Sequence, residues 1–146
     1  MIASAECFLD TNILIYAATG RVDEPAKWNV AHGLLTAAFG TSAQVLAEFY
    51  ASVVKKGSIP LEPAVAKRWI QLLVRRPFVA VDESLVLAGA NLSQRFQISY
   101  RDGAILAAAE RLGATTLYSD DLSHGQIYGS IQVVDPFLEP QQPTSK

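Results

Sequence analysis

The feature that most constrains this chain is an alternation. Short strand-like runs alternate with longer runs of helical spacing, and acidic residues recur where one gives way to the other. Strand followed by helix, repeated, is the pattern of a parallel sheet covered by helices on both faces. The expected class is therefore α/β, an α/β/α sandwich with a central parallel sheet. Residues 7–9 form the first apolar run, stopping at Asp10-Thr11-Asn12, and residues 13–18 begin a helix. Residues 40–42 are a weak strand, followed by a helix over 44–56 in which Val45, Phe49 and Val53 share a face and which Gly57 closes. Residues 58–63 form a loop, and the helix over 64–75 carries Val65, Trp69, Leu72 and Leu73 as its apolar stripe until Pro77 stops it. Residues 78–81 are a β-branched and aromatic strand, and Asp82-Glu83-Ser84 caps a helix over 85–95. Asp102 stands before a further helix over 103–112 closed by Gly113, and 115–118 and 131–134 are the last strands. A chain of 146 residues, 50% of them hydrophobic, fills one core, so we expect one domain over 1–138. The tail 139–146 has two prolines and no apolar residue and is expected to be disordered.

In an open parallel sheet, ligands bind beyond the carboxyl ends of the strands, which is where Asp10, Asp82, Asp102 and the pair Asp120-Asp121 fall. Aspartate is also among the best helix N-caps. Asp82 is assigned that role, since Glu83-Ser84 follow it and nothing nearby suggests chemistry. Glu48 differs, because it lies in a half-buried helix among Leu46, Ala47, Phe49 and Tyr50, where an unpaired carboxylate would be costly. If Asp10, Glu48, Asp102 and Asp121 converge, their repulsion would raise their pKa values or push the site apart unless a cation neutralised them. Oxygen ligands without Cys or His select a hard divalent ion, Mg²⁺ or Mn²⁺. Such ions serve metal-assisted hydrolysis of a phosphodiester. With two histidines and one cysteine, a tetrahedral zinc site of Cys and His cannot be assembled within one chain, and neither His32 nor His124 adjoins a nucleophile motif.

Residues 10–17 (Asp-Thr-Asn-Ile-Leu-Ile-Tyr-Ala) resemble the opening motif of PIN-domain ribonucleases, in particular the VapC-type toxins of toxin-antitoxin pairs. Residues 44–49 are similar to the helix carrying that family's second acid, residues 99–109 to its third motif and residues 117–122 to its fourth. The four occur in order, and the likeness continues to Asp135-Pro136-Phe137. The resemblance implies a compact PIN-like α/β/α domain, Mg²⁺- or Mn²⁺-dependent endoribonuclease activity on RNA, a homodimer and a cognate antitoxin. Carried over by position, Asp10 and Asp102 would be the main metal ligands, and Glu48 and Asp121 would complete the catalytic acids. Asp120 competes with Asp121 for the fourth place. Asn12 and Ser119 would orient carboxylates or water. The chain departs from the pattern at Arg101-Asp102-Gly103, where many relatives have an aromatic or small residue before the acid and alanine after it. A glycine there weakens the helix start by about 1 kcal/mol.

Arg101 is the best candidate for a phosphate contact because it adjoins a proposed ligand, and Tyr100 for stacking on a base. The pairs Lys55-Lys56, Lys67-Arg68 and Arg75-Arg76 read as solvated helix ends, and His124 as a turn residue. Cys7, the only cysteine, reads as a buried thiol in a cytoplasmic protein. The charge-free runs 13–20 and 103–109 are far below the roughly 20 residues of a membrane span, and the N-terminus shows no export signal. The formal net charge of −2 does not oppose an RNA substrate: with five acids assigned to the pocket, nine remain against 12 basic residues. Two other readings share the motifs, an RNA-processing nuclease outside any toxin-antitoxin pair and an inactive PIN-like interaction module. A phosphatase would require Asp where Asn12 stands, and a phospho-accepting receiver a lysine after the strand at 115–118; neither is present.

Overall fold

The computed structural model describes residues 4–55 and 60–138. Lys56, Gly57, the start of the 58–63 loop and the 139–146 tail lie outside the described residues. The elements run β1 (Cys7–Leu9), α1 (Thr11–Asp23), α2 (Pro25–Leu34), β2 (Phe39–Ser42), α3 (Ala43–Val53), α4 (Pro63–Leu73), β3 (Phe78–Val79), α5 (Glu83–Phe96), α6 (Tyr100–Arg111), β4 (Thr116–Tyr118), β5 (Ile127–Tyr128) and β6 (Ile131–Val134). The sheet order is β3-β2-β1-β4-β6-β5. All neighbours are parallel except the edge pair β5–β6, a hairpin turning at Gly129, whose φ of +62° is the left-handed conformation that glycine adopts without strain. The sheet is thus mostly rather than wholly parallel.

Strand β1 lies at the centre, flanked by helices on its connections, and all three of its residues are buried, as in a sheet covered on both faces. The largest buried side chains come from every layer: Phe8 and Leu9 of β1, Ile13 and Leu14 of α1, Phe39 of β2, Phe49 of α3, Ile105 and Leu106 of α6, and Leu117 of β4. The helices pack in two groups, with α1 against α2 and α3, α3 against α4, and α5 against α6. No helix among the described residues is long and apolar enough to cross a membrane. Cys7 is buried, and burial pushes its thiol above its ordinary value.

Four expectations change. The strand expected over 78–81 is only Phe78–Val79, because its sole neighbour β2 gives way to α3 after Ser42, leaving Ala80 and Val81 unpaired in the ladder and exposed. Helix α4 turns Ala66, Trp69, Ile70 and Leu73 inward, while Val65 and Leu72 of the expected stripe face solvent. Helix α1 extends to Asp23, and α2 follows where no helix was foreseen. Helix α6 begins at Tyr100 with Ser99 as its N-cap, the Ser99 hydroxyl accepting the Asp102 N–H at 3.1 Å. Asp102 therefore sits inside the first turn of a helix that follows another helix, not at the end of a strand. Asp82 has the expected capping role and accepts the Leu85 N–H at 2.8 Å.

Gly103 has a different meaning from a weak helix start. A Cβ there would collide with the Gly89 carbonyl and lie 2.9 Å from the Ser93 nitrogen, and one on Gly89 would lie 2.8 Å from Ala104 Cα. The two glycines let the backbones of α5 and α6 meet, and so fix the turn that carries Arg101 and Asp102.

Candidate functional site

Following the chain outward, β1 leads to β2 and β3 on one side, and the chain then crosses to β4 on the other. The carboxyl ends of β1 and β4 therefore flank the place where the winding reverses, where a crevice opens in folds of this kind. The Asp10 N–H donates to the Tyr118 carbonyl at 3.0 Å, extending the β1–β4 ladder by one bond and placing Asp10 beside Ser119. Asp10 is 1% exposed and caps α1, its Oδ1 accepting the Thr11 N–H at 2.7 Å. The buried Ser119 hydroxyl donates to Asp10 Oδ2 at 2.8 Å and accepts the Asp121 N–H at 3.1 Å. One hydroxyl thus orients one acid and shapes the turn that carries another.

Glu48 arrives from α3, whose buried residues Val45, Leu46, Phe49 and Val53 seat the helix in the core and leave Glu48 on its flank. Thr11 Oγ1 donates to Glu48 Oε1 at 2.6 Å. Asp102 comes from the first turn of α6, and Asp121 from the turn after β4.

At the centre of these acids lies a guanidinium. Arg101 Nη2 is 2.7 Å from Asp10 Oδ1 and 2.8 Å from Glu48 Oε1, and Nη1 is 3.2 Å from Asp102 Oδ1 and 3.7 Å from Asp121 Oδ2. Nε donates to Glu48 Oε2 at 3.2 Å, and Nη2 also donates to Thr11 Oγ1 at 3.2 Å. Burial opposes the charged guanidinium, but its hydrogen bonds to Glu48 and Asp10 outweigh this and hold it above its ordinary value. Burial likewise works against the Glu48 carboxylate, and the bonds from Arg101 and Thr11 overcome it, so Glu48 titrates below its ordinary value. Asp121 moves the other way: burial, then the charges of Asp10 and Asp120, raise it against the pull of Arg101.

The structure brings Asp10, Glu48, Asp102 and Asp121 around one point. It sets Asp120 to the side, where its Oδ1 accepts from Asn12 Nδ2 at 2.9 Å, so Asp121 is the member of the pair that faces Arg101. Tyr100 is exposed at the start of α6. Arg101, read from sequence as turned toward a phosphate, has its N–H groups engaged by carboxylates instead. His124 Nδ1 accepts the Asp135 N–H at 3.0 Å, a structural bond that ties the turn after β4 to the end of β6. Arg76 bonds the carbonyls of Ala37 and Leu35 and lies over the Phe39 ring, so one member of the basic pairs ties α4's end to β2. Sequence reasoning missed Thr11 and Gln44. Thr11 links Glu48 to Arg101, and Gln44 bonds the Glu48 side chain and reaches the Arg101 carbonyl at 3.5 Å. Both stand within the motifs that carry the acids, Thr11 directly after Asp10 and Gln44 one turn before Glu48, and a polar residue so placed is the available signal.

All the donors facing this point are oxygens, which suits a hard divalent cation. With the guanidinium between them, no three acidic, histidine or cysteine side chains among the described residues are arranged to hold a metal ion as they stand.

The PIN domain family matches residues 7–129. Comparison with curated protein sequences finds no match. Among solved structures, the chain is similar to VapC20 of Mycobacterium tuberculosis, described as a toxin that cleaves the sarcin-ricin loop, with a TM-score of 0.63 and 21% identity over 79% of this chain and 89% of that one. It is also similar to a toxin-antitoxin complex from Klebsiella pneumoniae (TM-score 0.65, 20% identity, 89% of this chain and 97% of that one). A third similar structure is VapBC2 of Rickettsia felis bound to a fragment of promoter DNA (TM-score 0.59, 19% identity, 87% and 96%).

Proposed function

The chain belongs to the PIN-domain family, and on that footing we propose that it is an Mg²⁺- or Mn²⁺-dependent endoribonuclease, the toxin of a toxin-antitoxin pair. The observation that carries this reading is the convergence of Asp10, Glu48, Asp102 and Asp121, from four separate stretches of chain, on one cation at the sheet's switch point. Asp10 and Asp102 would be the main metal ligands, with Glu48 and Asp121 completing the set. When bound, the ion supplies an activated water and offsets charge building on the phosphate.

The chain's own part is positioning. Ser119 and the Thr11 N–H fix both oxygens of Asp10, so that this carboxylate cannot rotate away. Thr11 and Gln44 hold Glu48, and Ser99 with the Gly89–Gly103 contact sets the turn that presents Asp102. Asn12 restrains Asp120 beside Asp121. Tyr100, exposed on the same turn, would meet a base. The similarity to toxin-antitoxin complexes supports an antitoxin partner, and the same reading takes the protein to be a cytoplasmic homodimer.

Purified protein incubated with a mixed RNA pool should cut it in Mg²⁺ and not in EDTA. Folded Asp10→Asn and Asp102→Asn variants should lose this activity, and equal cleavage by wild type and variants would remove the assignment. A role in RNA processing outside a toxin-antitoxin pair would use the same site. A small adjacent reading frame encoding a DNA-binding antitoxin distinguishes the two.

A further inference from the structure

Every salt bridge made by Asp10, Glu48, Asp102 and Asp121 among the described residues goes to the same side chain. We propose that Arg101 is the resident counter-ion of this pocket, and that a divalent cation binds only as the Arg101 side chain leaves it. This rests on reading the pocket as a metal site.

Three observations support it. The first is position. An arginine that serves a substrate phosphate keeps an N–H edge free, whereas all three nitrogens of Arg101 are engaged with carboxylates of its own chain, and its side chain is only 30% exposed. The guanidinium occupies the point on which the four acids converge, so an ion and Arg101 cannot both hold them in this arrangement.

The second is charge. One guanidinium faces four carboxylates, with Asp120 close by, and it leaves most of the negative charge uncompensated. That residual charge favours exchange for a cation of higher charge. The third is mobility. Backbone on either side of Arg101 is pinned, by the Ser99 cap and by the close approach of α5 at Gly103, so exchange requires rotation of one long side chain and no movement of the fold. Metal binding and release of Arg101 are then a single event. A mutation that removes the guanidinium should strengthen metal binding, the opposite of what loss of a ligand or of a purely supporting residue would do.

The test is Mn²⁺ affinity, read from the electron paramagnetic resonance of free Mn²⁺, for wild type and Arg101→Gln at one pH and ionic strength. The variant should bind at least tenfold more tightly. It should also be the less stable of the two in EDTA and gain more in thermal midpoint from Mn²⁺. Equal or weaker binding by the folded variant would overturn the proposal. Should Arg101→Gln fail to fold, wild type decides. In ¹⁵N-arginine-labelled protein the Arg101 Nε–H, bonded to Glu48, should exchange slowly in EDTA and rapidly in saturating Mg²⁺, and a proton still protected in Mg²⁺ would overturn the proposal as well. Failure of both proteins to bind Mn²⁺ would remove the metal reading along with it. Wild-type binding with no gain in the variant would remove this inference alone, and Mn²⁺ binding without RNA cleavage would count only against the nuclease reading.

Discussion

Ser119 hydrogen-bonds a buried carboxylate and the N–H of the residue two positions on, so its removal touches stability and site together. Ser119→Ala should cost about 1.5–3 kcal/mol, the range for a buried hydrogen bond to a charged group, measured by urea unfolding. The two acids with shifted titration give opposite pH signatures in EDTA. Glu48 titrates below its ordinary value in the fold, so its stabilisation is complete above the ordinary glutamate value of 4.5 and is lost as pH falls through the native one. Glu48→Gln should flatten that part of the stability profile. Asp121 titrates above its ordinary value, so the folded state disfavours its charge, and stability drains as pH rises from the ordinary value through the native one. Asp121→Asn should therefore stabilise the metal-free protein at neutral pH. The four acids stand out in the sequence because each lies at a junction of runs or breaks an apolar helix face, while the preference for Asp121 over Asp120 comes from the family motif alone. The course of Arg101 could not. A side chain with four rotatable bonds can be sent inward or outward from the same backbone position, and its neighbour Asp102 gives no direction. Converging acids call for a cation on sequence grounds alone, but that the chain supplies one itself is visible only in the fold.

At the scale of elements, the contact of α5 with α6 controls where Asp102 stands. Gly103→Ala places a methyl against backbone atoms of Gly89 and Ser93, which cannot turn aside as a side chain would. It should destabilise the fold by about 1–3 kcal/mol in urea unfolding and weaken Mn²⁺ binding as well, since Asp102 is the preceding residue. Elements with a clear apolar period, α3 and α5, are readable in the sequence to within a few residues, as are the buried runs β1, β4 and β6. Helix α2 is not, because Ala31 is its only buried residue and Asn29, His32 and Gly33 interrupt any stripe. Strand β5 is two residues long with Ile127 exposed, too short to show alternation. The length of β3 depends on where β2 ends, and that is a tertiary fact absent from β3's own residues.

For the molecule as a whole, the acidity is concentrated at one place. Setting aside the five acids of the cluster and Arg101, the chain carries eleven basic residues against nine acidic ones. Binding of RNA by the Asp10→Asn variant should therefore weaken with salt, log affinity falling linearly with log salt concentration in a filter-binding series. The mostly parallel α/β plan followed from the alternation of runs, whereas the crossing from β3 to β4 that makes the crevice is not written in any one run. That crossing also has a consequence in time. Asp10 and Ser119 lie 109 positions apart, and the bond between them closes only when β4 settles beside β1. During synthesis the first half of the chain presents Asp10 and Glu48 without Asp102, Asp121 or the strand that anchors Asp10. On the reading proposed above, a nascent chain is harmless to the RNA around it until residues 116–121 have been made and β4 has settled beside β1.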